Sequence, residues 1–242
     1  MIAVVLLAGM GRRIRKFIGD THKSLLEIDG FPILWYLVNN LISAGIVDVI
    51  AITGYQGKDI ERYLKKTFPY INLRICKNNN YEHTNNLVSL LEAEKMLLGN
   101  DFIVINGDMV FDCQILINIL RHKQSAIAID SIHKNYWIDS PCTIIENGRI
   151  LDLGRDIEPS ENSGYAIGLY KFSSGIAGAF FEEGKRIVLE NPNAGFHDPL
   201  RSLFHKFVVL ASDVEKCLWT DIDDIEDIKK AERYIRMLEH RN

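Results

Sequence analysis

The chain has 242 residues, of which 47% are hydrophobic and 25% are charged, a composition typical of a globular protein with enough apolar residues for one large core. Its formal net charge of −4 argues against a nucleic-acid partner, because phosphate backbones are bound by clustered lysine and arginine. The four cysteines form no C-x-x-C motif, which favours reduced thiols over a disulfide or zinc framework.

The apolar start of the chain covers only six residues before glycine and arginine follow, which is too short for a signal peptide or a membrane span. We therefore expect a cytoplasmic protein without membrane insertion. We also expect residues 1–242 to form a single domain whose partner is a small molecule, and we leave a homodimer open.

The first half of the chain alternates apolar strand-like runs with helical patterns, which predicts βαβ units and a mostly parallel sheet. The predicted strands cover 2–7, 47–53, 72–76 and 102–105, and the predicted helices cover 32–44, 58–66 and 87–98. Ligands of such sheets bind at the carboxyl ends of strands, and Gly9, Gly11 and Asp108 all follow such ends.

The second half is richer in strands. The pattern predicts strands at 125–130, 142–146, 149–153 and 165–172, and a C-terminal helix at 225–238. Asn147-Gly148 is a strong hairpin signal between two of these strands. We predict an α/β fold: a Rossmann-like, mostly parallel sheet flanked by helices, with a small β-rich subdomain folded onto it.

The first strand leads into a glycine turn that has the composition of a phosphate-binding loop. Gly9 and Gly11 can take positive φ and let backbone N–H groups approach phosphate oxygens, and Arg12, Arg13 and Lys23 supply positive charge. A lone G-x-G also occurs at ordinary strand-to-loop junctions, so this prediction depends on the longer pattern. The residues that we assign to nucleotide binding here are Leu7, Ala8, Gly9, Gly11 and Arg12.

The longer pattern is L-A-G-x-G-x-R followed by Lys23, Gly30 and Pro32. It resembles the signature of the sugar-nucleotide type nucleotidyltransferases, in which a proline precedes the lysine. His22 stands in place of that proline. The resemblance implies a GT-A-like nucleotidyltransferase fold, with Lys23 acting at the α-phosphate and Arg13 orienting the β- and γ-phosphates. A protonated His22 would place a second cation beside Lys23.

Nucleotidyl transfer brings two anions together, so it needs cations and a divalent metal, usually Mg²⁺, held by one or two carboxylates. Asp108 is the first candidate ligand, and a turn-capping role is its alternative. Residues 218–224 resemble the W-x-D-(I/V)-D-(T/S) segment of cytidylyltransferases that act on alcohol phosphates. Alternation places Asp221 and Asp223 on one side of this segment, and we favour Asp223 as the second ligand, with helix capping left open.

Two further stretches narrow the substrate. The stretch that begins at Tyr81 resembles the Y-x-x-x-N-N-x-x-S-L motif of phosphocholine and related cytidylyltransferases. We expect one asparagine to cap the next helix, and we assign Asn86 to the nucleotide and Asn85 to the acceptor. Residues 145–157 resemble the hairpin and G-K-D stretch of inositol-1-phosphate and phosphocholine cytidylyltransferases, with Arg155 in place of the lysine. Arg155 and Tyr165 are our remaining acceptor-binding candidates.

The resemblance implies transfer from CTP to a small alcohol phosphate, with residues 1–110 as the nucleotide-binding half and residues 111–242 as the acceptor-binding half. A choline acceptor would use aromatic faces, whereas inositol hydroxyls would use acids and amides. The candidates for these two roles are Tyr136, Trp137, Tyr165 and Trp219, and Asp130, Asp139, Asn135 and Asn162.

Three other functions compete with this one. The first is a sugar-1-phosphate nucleotidyltransferase that uses UTP, dTTP or GTP, and the second is a catalytically silent nucleotide-binding subunit. The third, a nicotinamide dehydrogenase, is disfavoured because its fingerprint needs a third glycine where Ile14 stands.

Overall fold

The computed structural model of the protein describes residues 1–132 and 140–239. The strands are β1 Ile2–Leu7, β2 Glu27–Ile28, β3 Phe31–Pro32, β4 Asp48–Thr53, β5 Asn72–Lys77, β6 Phe102–Asn106, β7 Met109–Phe111, β8 Ser125–Asp130, β9 Cys142–Glu146, β10 Arg149–Gly154, β11 Tyr165–Phe172, β12 Val209–Asp213 and β13 Trp219–Asp221. The α-helices are α1 Arg15–Ile18, α2 Ile33–Ser43, α3 Gly57–Thr67, α4 Asn86–Leu91, α5 Glu94–Leu97, α6 Cys113–Leu120, α7 Ser174–Glu190, α8 Asp198–Arg201 and α9 Ile225–Glu239, and a 3-10 helix covers Lys23–Leu25.

Across the described ranges, nine strands form one sheet in the order β5-β4-β1-β6-β11-β8-β12-β10-β9. Strands β5, β4, β1 and β6 are parallel to one another, and β11 joins β6 in the antiparallel direction. Strand β9 also pairs with the start of β11. The β-rich part predicted for the second half is therefore continuous with the main sheet.

Both faces of the sheet are covered, which explains why β1 is apolar throughout. Ile2 and Val4 face one core, which includes Phe102, while Ala3 and Val5 face the other core, on the side of α2, α3 and α6. A strand buried on both faces has a continuous hydrophobic sequence rather than an alternating one. A third, smaller core packs α9 against α2 and β7.

The predicted strands of the sheet all form, with boundaries that shift by one residue at most. The hairpin turn at Asn147-Gly148 has positive φ at both residues (51° and 75°), as a type I′ turn requires. The helix predicted at 87–98 is instead two short helices, α4 and α5. No helix of the described residues is long and apolar enough to cross a membrane.

Several elements have no counterpart in the sequence analysis, and the longest of them are α6, α7 and β12. Helix α7 contains Gly175, Gly178 and Gly184, and glycine weakens a helical pattern. Gly184 has a packing role, because a Cβ built on it would lie 3.2–3.3 Å from the side chains of Leu91 and Leu87 on α4. Tertiary packing against α4 thus favours a helix that local propensity does not.

Candidate active site

A cavity of about 400 Å³ opens where β1 and β6 end, and its walls come from eight separate stretches of the chain. The residues that line it include Ala8, Gly9, Arg13, Tyr81, Thr84, Asn85, Asn86, Ser89, Asn106, Gly107, Asp108, Ser140, Pro141, Arg155, Ile167, Gly168, Tyr170, Phe196, His197, Trp219, Asp221 and Asp223. This edge of the sheet is where the parallel strands of an α/β fold place their ligands.

The Lys23 side chain joins two carboxylates that are distant in the sequence. Its Nζ donates to Oδ2 of Asp108 at 2.8 Å and to Oδ1 of Asp223 at 2.7 Å. Arg13 donates to the other oxygen of Asp223 at 2.6 Å. Only 9% of the Lys23 side chain is exposed, whereas 64% of the Arg13 side chain is exposed. Burial alone lowers the pKa of Lys23, but the two carboxylates outweigh burial and raise the pKa, so the ammonium stays charged.

The capping alternatives for the acidic residues are resolved by their contacts. Asp108 bonds to Lys23 rather than to its own turn. Asp224 accepts the backbone N–H groups of Glu226 and Asp227, so it is Asp224 that caps α9. The Asp223 side chain is thereby left to Lys23 and Arg13.

Three carboxylates converge on this end of the cavity. Ile222 is fully buried in the small core, while Asp221 and Asp223 on either side of it both line the cavity. Burial, followed by the charges of Asp108 and Asp223, raises the pKa of Asp221 to about 7. Mutual repulsion of this kind favours a bound cation.

These carboxylates fit a divalent metal whose other ligands come from the substrate and from water. Oδ1 of Asp108 is buried and has no hydrogen-bond partner in the part of the chain that the structure describes. Among those same residues, no three or more His, Cys, Asp or Glu side chains form a ready metal cage. Mg²⁺ is commonly held by one or two carboxylates together with substrate phosphates and water, which matches this arrangement.

His22 fastens the lysine loop to β1. Its Nδ1 accepts the Ser24 backbone N–H at 3.1 Å, so its Nε2 carries the proton and donates to the Leu7 carbonyl, also at 3.1 Å. Burial lowers the pKa of His22 to about 4, so the ring is neutral near pH 7. The suggestion of a second cation beside Lys23 was therefore wrong. The neutral ring instead anchors the loop at the position that holds a proline in the signature this segment resembles.

The predicted nucleotide-binding turn divides into lining and supporting residues. Ala8 and Gly9 line the cavity. Gly11 has φ 56° and lies under Lys23, since a Cβ built on it would be 3.3 Å from the Lys23 Cβ. Arg12 donates to the Glu82 carbonyl at 3.4 Å and does not line the cavity. Leu7 is buried and contributes its carbonyl to His22.

The asparagine pair connects α4 to a distant loop. Asn85 is the N-cap of α4, and its Nδ2 donates to the Asn193 carbonyl at 3.0 Å. Oδ1 of Asn86 accepts the Phe196 backbone N–H at 2.9 Å. Asn86 Nδ2 has no partner among the described residues, so it is the amide group that remains for a ligand. The structure places both asparagines on the cavity and gives both of them a part in holding the 193–197 loop.

The other end of the cavity carries Arg155 together with Tyr170, Phe196 and His197. Burial lowers the pKa of His197, and its Nε2 lies 3.2 Å from Oδ1 of Asp198. Tyr165, which we assigned to the acceptor, is buried between β8 and β9 and does not line the cavity. Tyr170, five residues later on the same strand, lies there instead.

The side chains that we considered for acceptor specificity lie in different environments. Asp130 is fully buried; it accepts Trp219 Nε1–H at 2.8 Å and the Ile132 backbone N–H at 3.0 Å, so it is not available to a hydroxyl. Trp219 lines the cavity. Asn162 is exposed and does not line the cavity. Four candidates lie outside the described residues: Asn135, Tyr136, Trp137 and Asp139.

Several residues that line the Arg155 end of the cavity were not predicted from the sequence, namely Ser140, Tyr170, Phe196 and His197. Tyr170 and His197 offer a sequence signal, a polar group beside apolar residues, but core residues share it, and Ser140 and Phe196 offer none. Their position depends on contacts such as the Asn86 bond to Phe196, which spans 110 residues.

Comparison with known proteins identifies the family of the chain. Residues 3–146 match the MobA-like NTP transferase domain. The chain is 32% identical to choline-phosphate cytidylyltransferase of Haemophilus influenzae over 162 residues, which is 66% of each protein. It is 27% identical to CTP:phosphoglutamine cytidylyltransferase of Campylobacter jejuni over 254 residues, covering 95% of this chain and 98% of that protein.

A solved structure shows the same fold over the whole chain. The inositol-1-phosphate CTP transferase from T. maritima superposes with a TM-score of 0.81 at 18% identity, covering 97% of this chain and 95% of that one. The family match extends over more than half of the 242 residues and includes the glycine turn, Lys23 and Asp108. The chain belongs to the MobA-like NTP transferase family and is a nucleotidyltransferase.

Proposed function

We propose that this enzyme transfers the cytidylyl group of CTP to a small alcohol phosphate, inositol 1-phosphate or phosphocholine, and releases pyrophosphate. The observation that carries the proposal is one cavity with positive charge at two places. Lys23 and Arg13 hold the carboxylate cluster where β1 and β6 end, and Arg155 follows β10 on another wall. Two anionic substrates that must react with each other need such an arrangement.

The reaction forms a bond between an acceptor phosphate oxygen and the α-phosphorus of CTP. The bond from that phosphorus to the bridging oxygen breaks, and pyrophosphate leaves with the electron pair. Lys23 is buried and permanently cationic, so we assign it to the charge that develops at the α-phosphate. Arg13 is exposed in comparison, and we assign it to orienting the β- and γ-phosphates.

Nucleotidyltransferases of this family generally use a divalent metal, and we propose Mg²⁺ here. Asp108 and Asp223 are the residues that we propose hold it, with Asp221 as the alternative second ligand. When bound, the ion stabilises negative charge on the α-phosphate. The buried, unpartnered Oδ1 of Asp108 supports this assignment.

We propose CTP as the nucleotide because the cytidylyltransferase motif Tyr81–Leu90 supplies the cavity wall beside Ala8 and Gly9. Asn86 Nδ2 is a donor suited to a pyrimidine carbonyl. We propose Arg155 as the contact for the acceptor phosphate. The Campylobacter relative is named for phosphoglutamine, so a third phosphorylated acceptor belongs in the test.

We also propose that residues 1–242 act as one domain. Strands from both halves share one sheet, and Asp221 and Asp223 from the second half meet Asp108 from the first. The division at residue 110 therefore describes the source of the walls rather than two independent units.

The test is pyrophosphate release by the purified chain with Mg²⁺. CTP is supplied with phosphocholine, inositol 1-phosphate or phosphoglutamine, and UTP, dTTP and GTP are supplied with glucose 1-phosphate. We expect turnover with CTP and at least one alcohol phosphate, and none with glucose 1-phosphate. A preference for a hexose 1-phosphate would support the sugar-nucleotide alternative, and binding without turnover would support a silent subunit.

A further inference from the structure

Two carboxylates flank Arg155 in the sequence, but Arg155 forms an ion pair with neither of them. Asp152 lies three residues before it on β10, and Asp156 follows it directly. Arg155 lines the cavity, and no ion pair joins it to a carboxylate within 1–132 or 140–239. A guanidinium and a carboxylate form strong charge-assisted hydrogen bonds when they meet, so either neighbour is a potential competitor for Arg155.

Arg201, the last residue of α8, binds both of these carboxylates. Its Nε lies 2.8 Å from Oδ1 of Asp152, and its Nη2 donates to Oδ2 of Asp152 at 3.0 Å. Its Nη1 donates to Oδ1 of Asp156 at 2.7 Å. The planar guanidinium therefore contacts Asp152 through two of its nitrogens and Asp156 through the third. The hydrogen bond to Arg201 lowers the pKa of Asp156, which keeps that group ionised.

The opposite end of α8 fixes the facing wall of the cavity. Asp198 accepts the Gly195 backbone N–H at 2.7 Å, and its other oxygen lies 3.2 Å from His197 Nε2. One short helix thus links the loop that carries His197 to the loop that carries Arg155. A single exposed ion pair contributes little, but a bidentate pair within a network is the exception.

We propose that Arg201 is a positioning residue of the acceptor site: by holding Asp152 and Asp156, it leaves Arg155 as a cation without a competing carboxylate, directed to the phosphate of the acceptor. This inference rests on the proposed function, in which the acceptor is a phosphate ester. It predicts an effect on acceptor binding and not on CTP binding, because Arg13 and Lys23 bind a different set of carboxylates, Asp108 and Asp223.

The test measures KM for CTP, KM for the acceptor and kcat in Arg201→Gln. Loss of the fork frees two carboxylates to bind Arg155, so we expect KM for the acceptor to rise about tenfold or more, the size of one hydrogen bond to a charged group. KM for CTP is expected to stay within about twofold, a change too small to represent a lost contact. Arg201→Lys, which keeps the charge without the fork, should give an intermediate KM.

Rescue separates this role from a purely structural one. In the triple variant Arg201→Gln, Asp152→Asn, Asp156→Asn, no carboxylate competes for Arg155, so the acceptor KM should return close to the wild-type value. The matched control is Arg186→Gln on α7, where an arginine fork binds Glu183 and Glu190, none of which lines the cavity. That variant should keep both KM values.

The outcomes distinguish failure of this inference from failure of the proposed function. Wild-type turnover with an unchanged acceptor KM in Arg201→Gln would overturn this inference alone. Equal rises in both KM values, or failure of the triple variant to recover while its thermal unfolding matches the wild type, would also overturn it. Absence of wild-type turnover with every phosphorylated acceptor would overturn the proposed function, and this inference with it.

Discussion

The two ends of the cavity are built in different ways. At the nucleotide end, the Lys23 side chain is 9% exposed and bonds to two carboxylates at 2.7–2.8 Å. At the acceptor end, Arg155 is exposed, and the Arg201 side chain that supports it is 42% exposed. Charges interact more strongly in a buried site than in water, where solvent and salt screen them. We therefore expect the buried Lys23 cluster to control kcat, and the exposed Arg13 and Arg155 to control KM for CTP and for the acceptor.

The largest effect is expected from Asp108→Asn. The substitution keeps the shape but removes one charge from the proposed metal site, so kcat should fall by about 1000-fold, at the upper end of the range for one preorganised electrostatic group. The matched control is Asp112→Asn, which keeps an oxygen for the Gln114 N–H at the start of α6. Similar activities in the two variants, measured as pyrophosphate release, would remove Asp108 from the mechanism.

The second proposed metal ligand, Asp223 or Asp221, provides a further test of the nucleotide end. Asp223 bonds to Lys23 and Arg13, so Asp223→Ala disturbs both cations and should cost nearly as much as the change at Asp108. Asp221→Ala should be milder. The ratio of their kcat values decides the assignment, and a dispensable Asp223 beside an essential Asp221 would reverse it.

Lys23→Ala should lower kcat by roughly 100-fold and leave KM for CTP little changed, because an interaction made mainly in the transition state affects kcat. Steady-state kinetics with varied CTP provide the measurement. A raised KM with normal kcat would show that Lys23 only binds the ground state.

The contrast between the two ends also separates what the sequence could predict from what it could not. Lys23 and Asp108 each follow a buried strand within a short motif, so local pattern and strand direction placed them correctly at one edge. Tyr165 was chosen on the right strand, but it is Tyr170 that lines the cavity. Between these two residues the register of β11 against β8 shifts at an irregularity, and single-sequence alternation cannot reveal such a shift.

Helix α8 and the 193–197 loop were missed for a related reason. Their positions depend on Asn85, Asn86 and Asp152, which lie far away in the sequence. Burial is equally hard to foresee: a histidine beside a lysine looks like a pH-sensitive cation until the structure shows both ring nitrogens bonded.

His22 gives the smallest expected effect on catalysis. Its φ of −64° suits proline, so His22→Pro should fold, and its pH-rate profile near neutrality should match that of the wild type because the ring is already neutral there. A shifted alkaline limb in this variant would show that the ring carries charge. Kinetics between pH 6 and 9 give the comparison.

The same group makes a prediction about acid stability. Because folding lowers the pKa of His22 from 6.5 to about 4, the unfolded chain binds the proton more readily. The contribution of the group is fully present above pH 6.5 and is lost as the pH falls towards 4, by about 3 kcal/mol of unfolding free energy. Lys23 and Asp108 are the charged groups nearest to it, and their effects oppose each other. Urea unfolding at pH 7 and pH 4.5 should show a smaller loss in His22→Pro than in the wild type, and an equal loss would contradict the assignment.

The central claim is that the two ends of one cavity, each lined by its own arginine, hold two different anions. Arg13→Ala and Arg155→Ala test it in one experiment, with initial rates measured against CTP at saturating acceptor and against the acceptor at saturating CTP. The account predicts that Arg13→Ala raises KM for CTP about tenfold and spares the acceptor, while Arg155→Ala does the reverse, each consistent with the loss of one hydrogen bond to a charged group. If both variants raised the same KM, the two arginines would serve one substrate, and the division of the cavity would be wrong.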